Sequence, residues 1–121
     1  MSYPSLQIKR VYEPPQDADG FRVLIDRLWP RGVKKETAGI DLWSKGVSPS
    51  TELRKWFNHL PSKWVEFRKK YELELEESDA IDELIAAIRK HKRVTLLYSA
   101  RDETHNNAQV LLQFLSNKLK R

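Results

Sequence analysis

Apolar positions in this chain follow two different periods. Between Gln7 and Lys45 they come in short runs separated by turn residues. Gln7–Tyr12 reads as a strand that stops at Pro14-Pro15, because proline has no N–H for a ladder. Asp17-Ala18-Asp19-Gly20 reads as a turn. Phe21–Ile25 carries Val23, Leu24 and Ile25 in succession, as expected for a strand buried on both faces of a parallel sheet. Trp29-Pro30-Arg31-Gly32 ends it. The next stretch is compatible with a single helical turn over Lys34–Ala38 and a short strand over Ile40–Lys45.

From Ser50 the period becomes helical. Ser50 or Thr51 caps a short helix through Phe57. Ser62 is the expected N-cap of a helix over 62–77, in which Trp64, Phe67, Tyr71 and Leu75 recur on one face. Asp79 caps another, with Ile81, Leu84, Ile85 and Ile88 as its apolar stripe and Arg89–Arg93 as its basic end. Val94–Tyr98 is the clearest buried strand. A last helix follows the polar segment Arg101–Asn107 and carries Leu111, Leu112, Phe114, Leu115 and Leu119. Strands, a helical insertion, then a strand and a helix predict a small α/β fold with a largely parallel central sheet flanked by helices. No repeat or Gly/Ser linker divides it, so residues 1–121 read as one domain with the helical insertion at about 50–91.

Composition narrows the class. Lysine and arginine number 22 against 17 acidic residues, a net charge of +5 that favours anionic partners. The absence of cysteine excludes disulfides, thiolate metal sites and cysteine nucleophiles. No apolar run approaches the ~18 residues of a membrane span, and MSYPSLQIKR lacks the apolar stretch of a secretory leader. The expectation is a cytoplasmic protein. No G-x-G-x-x-G, Walker A or G-x-S-x-G string occurs, so nucleotide-cofactor folds and the serine-hydrolase elbow have no support.

Three segments carry a recognisable pattern. They are Asp26-Arg27-Leu28-Trp29-Pro30-Arg31-Gly32, then Pro49-Ser50-Thr51-Glu52-Leu53-Arg54-Lys55-Trp56, then Leu96-Leu97-Tyr98-Ser99-Ala100-Arg101-Asp102 followed by Asn106. In this order and spacing the chain resembles the YeaO-like family, a widespread bacterial group classed as a domain of unknown function. The resemblance runs over residues 8 to 116. It implies a compact, Rossmann-like α/β domain without a dinucleotide motif, located in the bacterial cytoplasm, and it implies no reaction. It also adds Ser50, Thr51 and Arg54 to the candidates for the site.

In open α/β sheets ligands bind beyond the carboxyl ends of the parallel strands. Two strands end in polar clusters, Asp26-Arg27 and Ser99 through Glu103. If they are parallel neighbours, Asp26, Arg27, Arg31, Ser99, Arg101, Asp102 and Glu103 converge on one edge, with Trp29 as a wall. The free N–H groups at His105–Ala108 would add positive potential. Arginines around one or two carboxylates suit a phosphate or carboxylate ligand. Asp26, His105 and Asn106 are the candidates for handling water or protons. Asp26 with Asp102 and Glu103 is the candidate set for Mg²⁺ or Mn²⁺, which prefer oxygen. Each has a structural alternative: Asp26 as a turn partner of Arg27 or Arg31, Asp102 and Glu103 as acids at a helix start, Asn106 and Ser50 as caps.

Two functions fit these residues. One is a small enzyme on a phosphorylated or other anionic substrate, hydrolysing a phosphodiester as a nuclease does, with or without a metal ion. The other is a non-catalytic module binding a small anion, or nucleic acid without sequence preference.

Overall fold

The computed structural model describes residues 4–120; the first three residues of the stretch examined for a leader lie outside it. Four strands, β1 (Ser5–Arg10), β2 (Phe21–Leu24), β3 (Leu42–Trp43) and β4 (Arg93–Tyr98), form one sheet in the order β1-β4-β2-β3. Every pairing is parallel. The helices are α1 (Lys35–Ala38), α2 (Thr51–Phe57), α3 (Trp64–Glu76), α4 (Asp79–His91) and α5 (Asn107–Leu119). This is the expected α/β architecture with a parallel sheet. No helix among the described residues is long and apolar enough to cross a membrane.

Strand pleating sorts the side chains into two unlike faces. Val23, Ile25, Val94, Leu96 and Tyr98 belong to the main core, together with Phe67 and Tyr71 of α3, Ile81, Leu84 and Ile88 of α4, and Leu111 and Leu115 of α5. Leu24 and Leu97 face the other way. With Val11 they form a much smaller cluster, covered by Trp29, Val33, Ile40 and Trp43. The helices therefore stack mainly on one face, while loops and the single turn of α1 cover the other.

That second face also buries charge. Asp19 is 1 % exposed and Arg22 3 % exposed. Arg22 pairs with Asp19 and donates to the Gly39 and Ala38 carbonyls, each at 3.0 Å. Lys9 reaches both Asp19 oxygens at 3.0 Å, and Thr95 donates its hydroxyl to the Asp19 carbonyl at 2.8 Å. Burial alone would raise the Asp19 pKa. Lys9, the Gln16 N–H and Arg22 outweigh it and hold the carboxyl below its ordinary value. Gly20 makes the close approach possible: at φ +67° it lies where a Cβ would stand 2.3 Å from the Arg93 carbonyl oxygen.

Helix starts differ in detail from the sequence reading. Ser62 lies in a 3-10 turn, Pro61–Lys63, so α3 begins at Trp64 without a side-chain cap. Asp79 is the first residue of α4 and Ser78 precedes it as N-cap. The last helix begins at Asn107, so His105 and Asn106 precede it, because the Asn106 side chain accepts from Gln109 N–H and ends the loop there. The basic run at Arg89–Arg93 leads into the start of β4, at the opposite end of the sheet from the carboxyl ends of β2 and β4.

Candidate functional site

β2 and β4 are hydrogen-bonded parallel neighbours, so their carboxyl ends leave the sheet side by side. Ile25 N–H still donates to the Leu97 carbonyl at 3.1 Å, and the two chains then diverge as Asp26 and Ser99. The divergence is bridged directly. Asp26 Oδ2 accepts from Ser99 N–H at 2.9 Å and from Ser99 Oγ at 2.7 Å. The Asn107 side chain is the other hydrogen-bonding group beside this carboxylate among the described residues.

Tryptophans fix the loop that follows. Trp43 Nε1 donates to the Asp26 carbonyl at 2.7 Å, and Trp29 Nε1 to the Val33 carbonyl at 2.7 Å. The two rings meet edge to face, with centroids 5.3 Å apart. Both indoles thus bury an apolar body while satisfying their N–H. Burial pushes the Asp26 carboxyl above its ordinary pKa; Ser99, the Asn107 side chain and the Arg54 charge pull in the other direction.

A cleft of about 780 Å³ opens over these strand ends. Asp26 and Arg101 both line it. So do Arg27, Trp29, Arg31, Arg54 and Ser99, and beyond them Asp102, His105 and Asn106. The four arginines make no salt bridge among the described residues. Guanidiniums without a carboxylate partner in a concave site are of the kind that can offer forked, charge-assisted hydrogen bonds.

Several residues hold positions other than those expected. Ser50 does not line the cleft: its Oγ accepts from Leu53 N–H at 3.1 Å as the cap of α2 and donates to Glu74 at 2.6 Å. Thr51 is also absent from the lining; its hydroxyl instead accepts from Arg27, which ties that guanidinium to the start of α2. Glu103 lies outside the lining. Asp26, Asp102 and Glu103 therefore do not assemble as a ligand set, and no group of three metal-ligating side chains occurs among the described residues.

Asp102 is occupied by its own turn. It accepts from Thr104 N–H and His105 N–H, both at 2.9 Å, and these backbone bonds lower its pKa to about 2. Asn106 is 4 % exposed with both ends of its amide engaged, by the Asp102 carbonyl at 2.8 Å and by Gln109 N–H at 2.9 Å. It caps α5, and its burial leaves the amide little access to a bound water. His105 Nδ1 lies 3.3 Å from Asp102, and its ring stands edge-on to Trp64 at 5.2 Å.

The cleft also contains residues that the sequence reading passed over. Phe57 and Phe67 stack at 4.3 Å beneath it, and His59 stands beside Phe57. Asn58 and His59 both have positive φ, 46° and 54°, at the end of α2. Asparagine at a helix end is the one available signal for such a left-handed turn. It turns the chain so that His59 reaches the rim.

The comparisons with known proteins agree with one another. A family model described as the inactive DUF488-N3 subclade matches residues 5–121. The uncharacterised protein YeaO of Escherichia coli (strain K12) is 45 % identical over 111 residues, covering 92 % of this chain and 96 % of that protein. An uncharacterised protein of Mycobacterium tuberculosis (strain ATCC 25618 / H37Rv) is 38 % identical over 113 residues, covering 93 % and 95 %. No solved structure matches.

Proposed function

Because the chain belongs to the family described as the inactive DUF488-N3 subclade, we propose that its cleft binds a phosphate-bearing small molecule and holds it without turnover. The observation that carries this reading is the set of four unpaired arginines, Arg27, Arg31, Arg54 and Arg101, around one cleft. An unpaired guanidinium beside a phosphate gains charge-assisted, bidentate hydrogen bonds that water does not match. The groups that turnover would need are otherwise engaged. Asp102 is spent on its turn, Asn106 on its cap, and Ser99 on Asp26.

Arg31 gives the direct test. It is exposed and takes part in the fold only through its carbonyl, which accepts from the Tyr12 hydroxyl at 3.1 Å. Arg31→Lys keeps the charge and loses the fork. The variant should melt with the parent, since such surface changes stay within ~0.5 kcal/mol. Calorimetric titration with inorganic phosphate or a sugar phosphate should show affinity reduced about tenfold, because a charged hydrogen bond is worth ~1.5–3 kcal/mol. Unchanged affinity in a folded Arg31→Lys removes this residue from the site.

The same charges give a second expected result. Any binding to RNA or DNA should be electrostatic, dropping steeply between ~50 and ~200 mM salt and ignoring sequence. A flat salt response contradicts it.

One observation favours the hydrolytic alternative: Asp26 is a half-buried carboxyl with a raised pKa at the arginine cleft. In that reading it positions water against a phosphate ester held by the arginines. Release of p-nitrophenolate from p-nitrophenyl phosphate or bis-p-nitrophenyl phosphate, abolished by Asp26→Asn, would establish it.

A further inference from the structure

We infer that the occupant of the cleft is a nucleotide, with its phosphate on the arginines, its base against the aromatic wall, and a base N–H donated to Asp26. This rests on the phosphate-binding reading above and gives the rest of the ligand its chemistry. Three features of the cleft have no use for phosphate alone.

The first is size. At about 780 Å³ the cleft is in the range of sites for drug-sized ligands, whereas a free phosphate displaces only a few waters of about 30 Å³ each. The second is the apolar wall. Trp29 lines the cleft, Phe57 and Phe67 stack beneath it, and Leu28 at its lip is 71 % exposed. Two imidazoles, His59 and His105, add flat polar faces of the kind on which bases stack.

The third is Asp26 itself. A carboxylate among arginines repels a bound phosphate, so its presence weakens a pure anion site. Ser99 engages Oδ2 alone, so the carboxylate, with the Asn107 side chain beside it, keeps acceptor capacity facing the cleft. Base edges carry amino and ring N–H donors that carboxylates accept, as in the pairing of Asp or Glu with a cytosine amino group. A ligand with a phosphate at one end and a flat, N–H-bearing ring at the other fits all three features. Ribose 5-phosphate lacks the ring.

Titration calorimetry at low salt with inorganic phosphate, ribose 5-phosphate, guanosine monophosphate and a 5′-phosphorylated trinucleotide tests this. Guanosine monophosphate should bind about tenfold or more tighter than ribose 5-phosphate, the gain expected from stacking and the added hydrogen bond. In Asp26→Asn the amide oxygen can still accept from Ser99 while the other carboxylate oxygen is replaced by an N–H donor. That variant should bind ribose 5-phosphate at least as well as the parent and lose most of the preference for the nucleotide. His59→Asn, at an exposed position whose positive φ asparagine tolerates, should weaken the nucleotide several-fold and leave ribose 5-phosphate unchanged. Equal affinity for the two ligands in the parent, or a full nucleotide preference in both variants, overturns the inference while the phosphate reading stands. No binding of any phosphate overturns both. A trinucleotide tighter than the mononucleotide assigns the chemistry to a strand end; a weaker one assigns it to the free nucleotide.

Discussion

Arg22→Ala will destabilise the protein by about 3–5 kcal/mol, the cost of leaving one partner of a buried ion pair without the other. Asp19 is 1 % exposed, and Lys9 alone would remain to neutralise it. The Gly39 and Ala38 carbonyls would lose their donors in the same step, which detaches α1 from the sheet. Replacing the whole network, as in Lys9→Met and Asp19→Leu with Arg22→Met, should cost less than Arg22→Ala alone, because no charge is then stranded. Acid adds a second signature. The Asp19 pKa is lower in the folded protein than its ordinary 3.8, so its stabilisation is fully present above that value. It is lost as pH falls through the lower, folded-state value. Urea denaturation between neutral pH and about pH 3 should show this loss in the parent and a flatter profile in Arg22→Ala. A variant within about 1 kcal/mol of the parent at neutral pH would show that the network contributes little to the fold.

Leu97→Ala should cost about 2–5 kcal/mol, the range for truncating a buried leucine. Leu97 is fully buried in a cluster whose other buried members are only Val11 and Leu24. Leu96, equally buried, belongs to the main core on the opposite face. The two truncations should lower stability comparably and differ in the cleft. Trp29 and Trp43 pack on Leu97's cluster and hold the Asp26 loop, so Leu97→Ala should weaken phosphate binding in protein that is still folded. Leu96→Ala should leave affinity intact below its melting temperature. Equal binding by the two variants would separate the tryptophan cluster from the site.

The sheet and the convergence at its edge were legible because each depends on a local pattern joined to a general rule. Val23-Leu24-Ile25 and Val94–Tyr98 are apolar without alternation, which marks buried parallel strands, and parallel neighbours end on the same edge. Asp26, Arg27, Arg31, Arg54 and Arg101 then reach one cleft. What was not legible depends on partners distant in sequence. Ser50 is an expected cap, but its second bond goes to Glu74, one helix further on, and leaves nothing for a ligand. The buried pair of Asp19 and Arg22 was hidden because a turn acid and a strand cation give no sign that they face each other. His59 was passed over as part of a connection; only the left-handed backbone at Asn58 and His59 brings it to the cleft.

The strand order has a consequence for how this protein is made. Among the described residues β4 is the only strand to which β1 is bonded, and Gln7 meets Thr95 across 88 positions. A ribosome therefore releases β1, β2 and the whole helical insertion before their shared partner exists. Until Arg93–Tyr98 emerges, the apolar edges of β1 and β2 have no native ladder between them. Such long-range pairing slows folding and prolongs exposure of unpaired strand edges. The cleft comes later still, since Ser99 and Arg101 follow β4. The cleft is thus complete only in chains that have emerged past its last lining residues. A nascent polypeptide stalled before residue 93 has Asp26 and three of the arginines, but neither the strand that aligns them nor the Ser99 hydrogen bonds that orient the carboxylate.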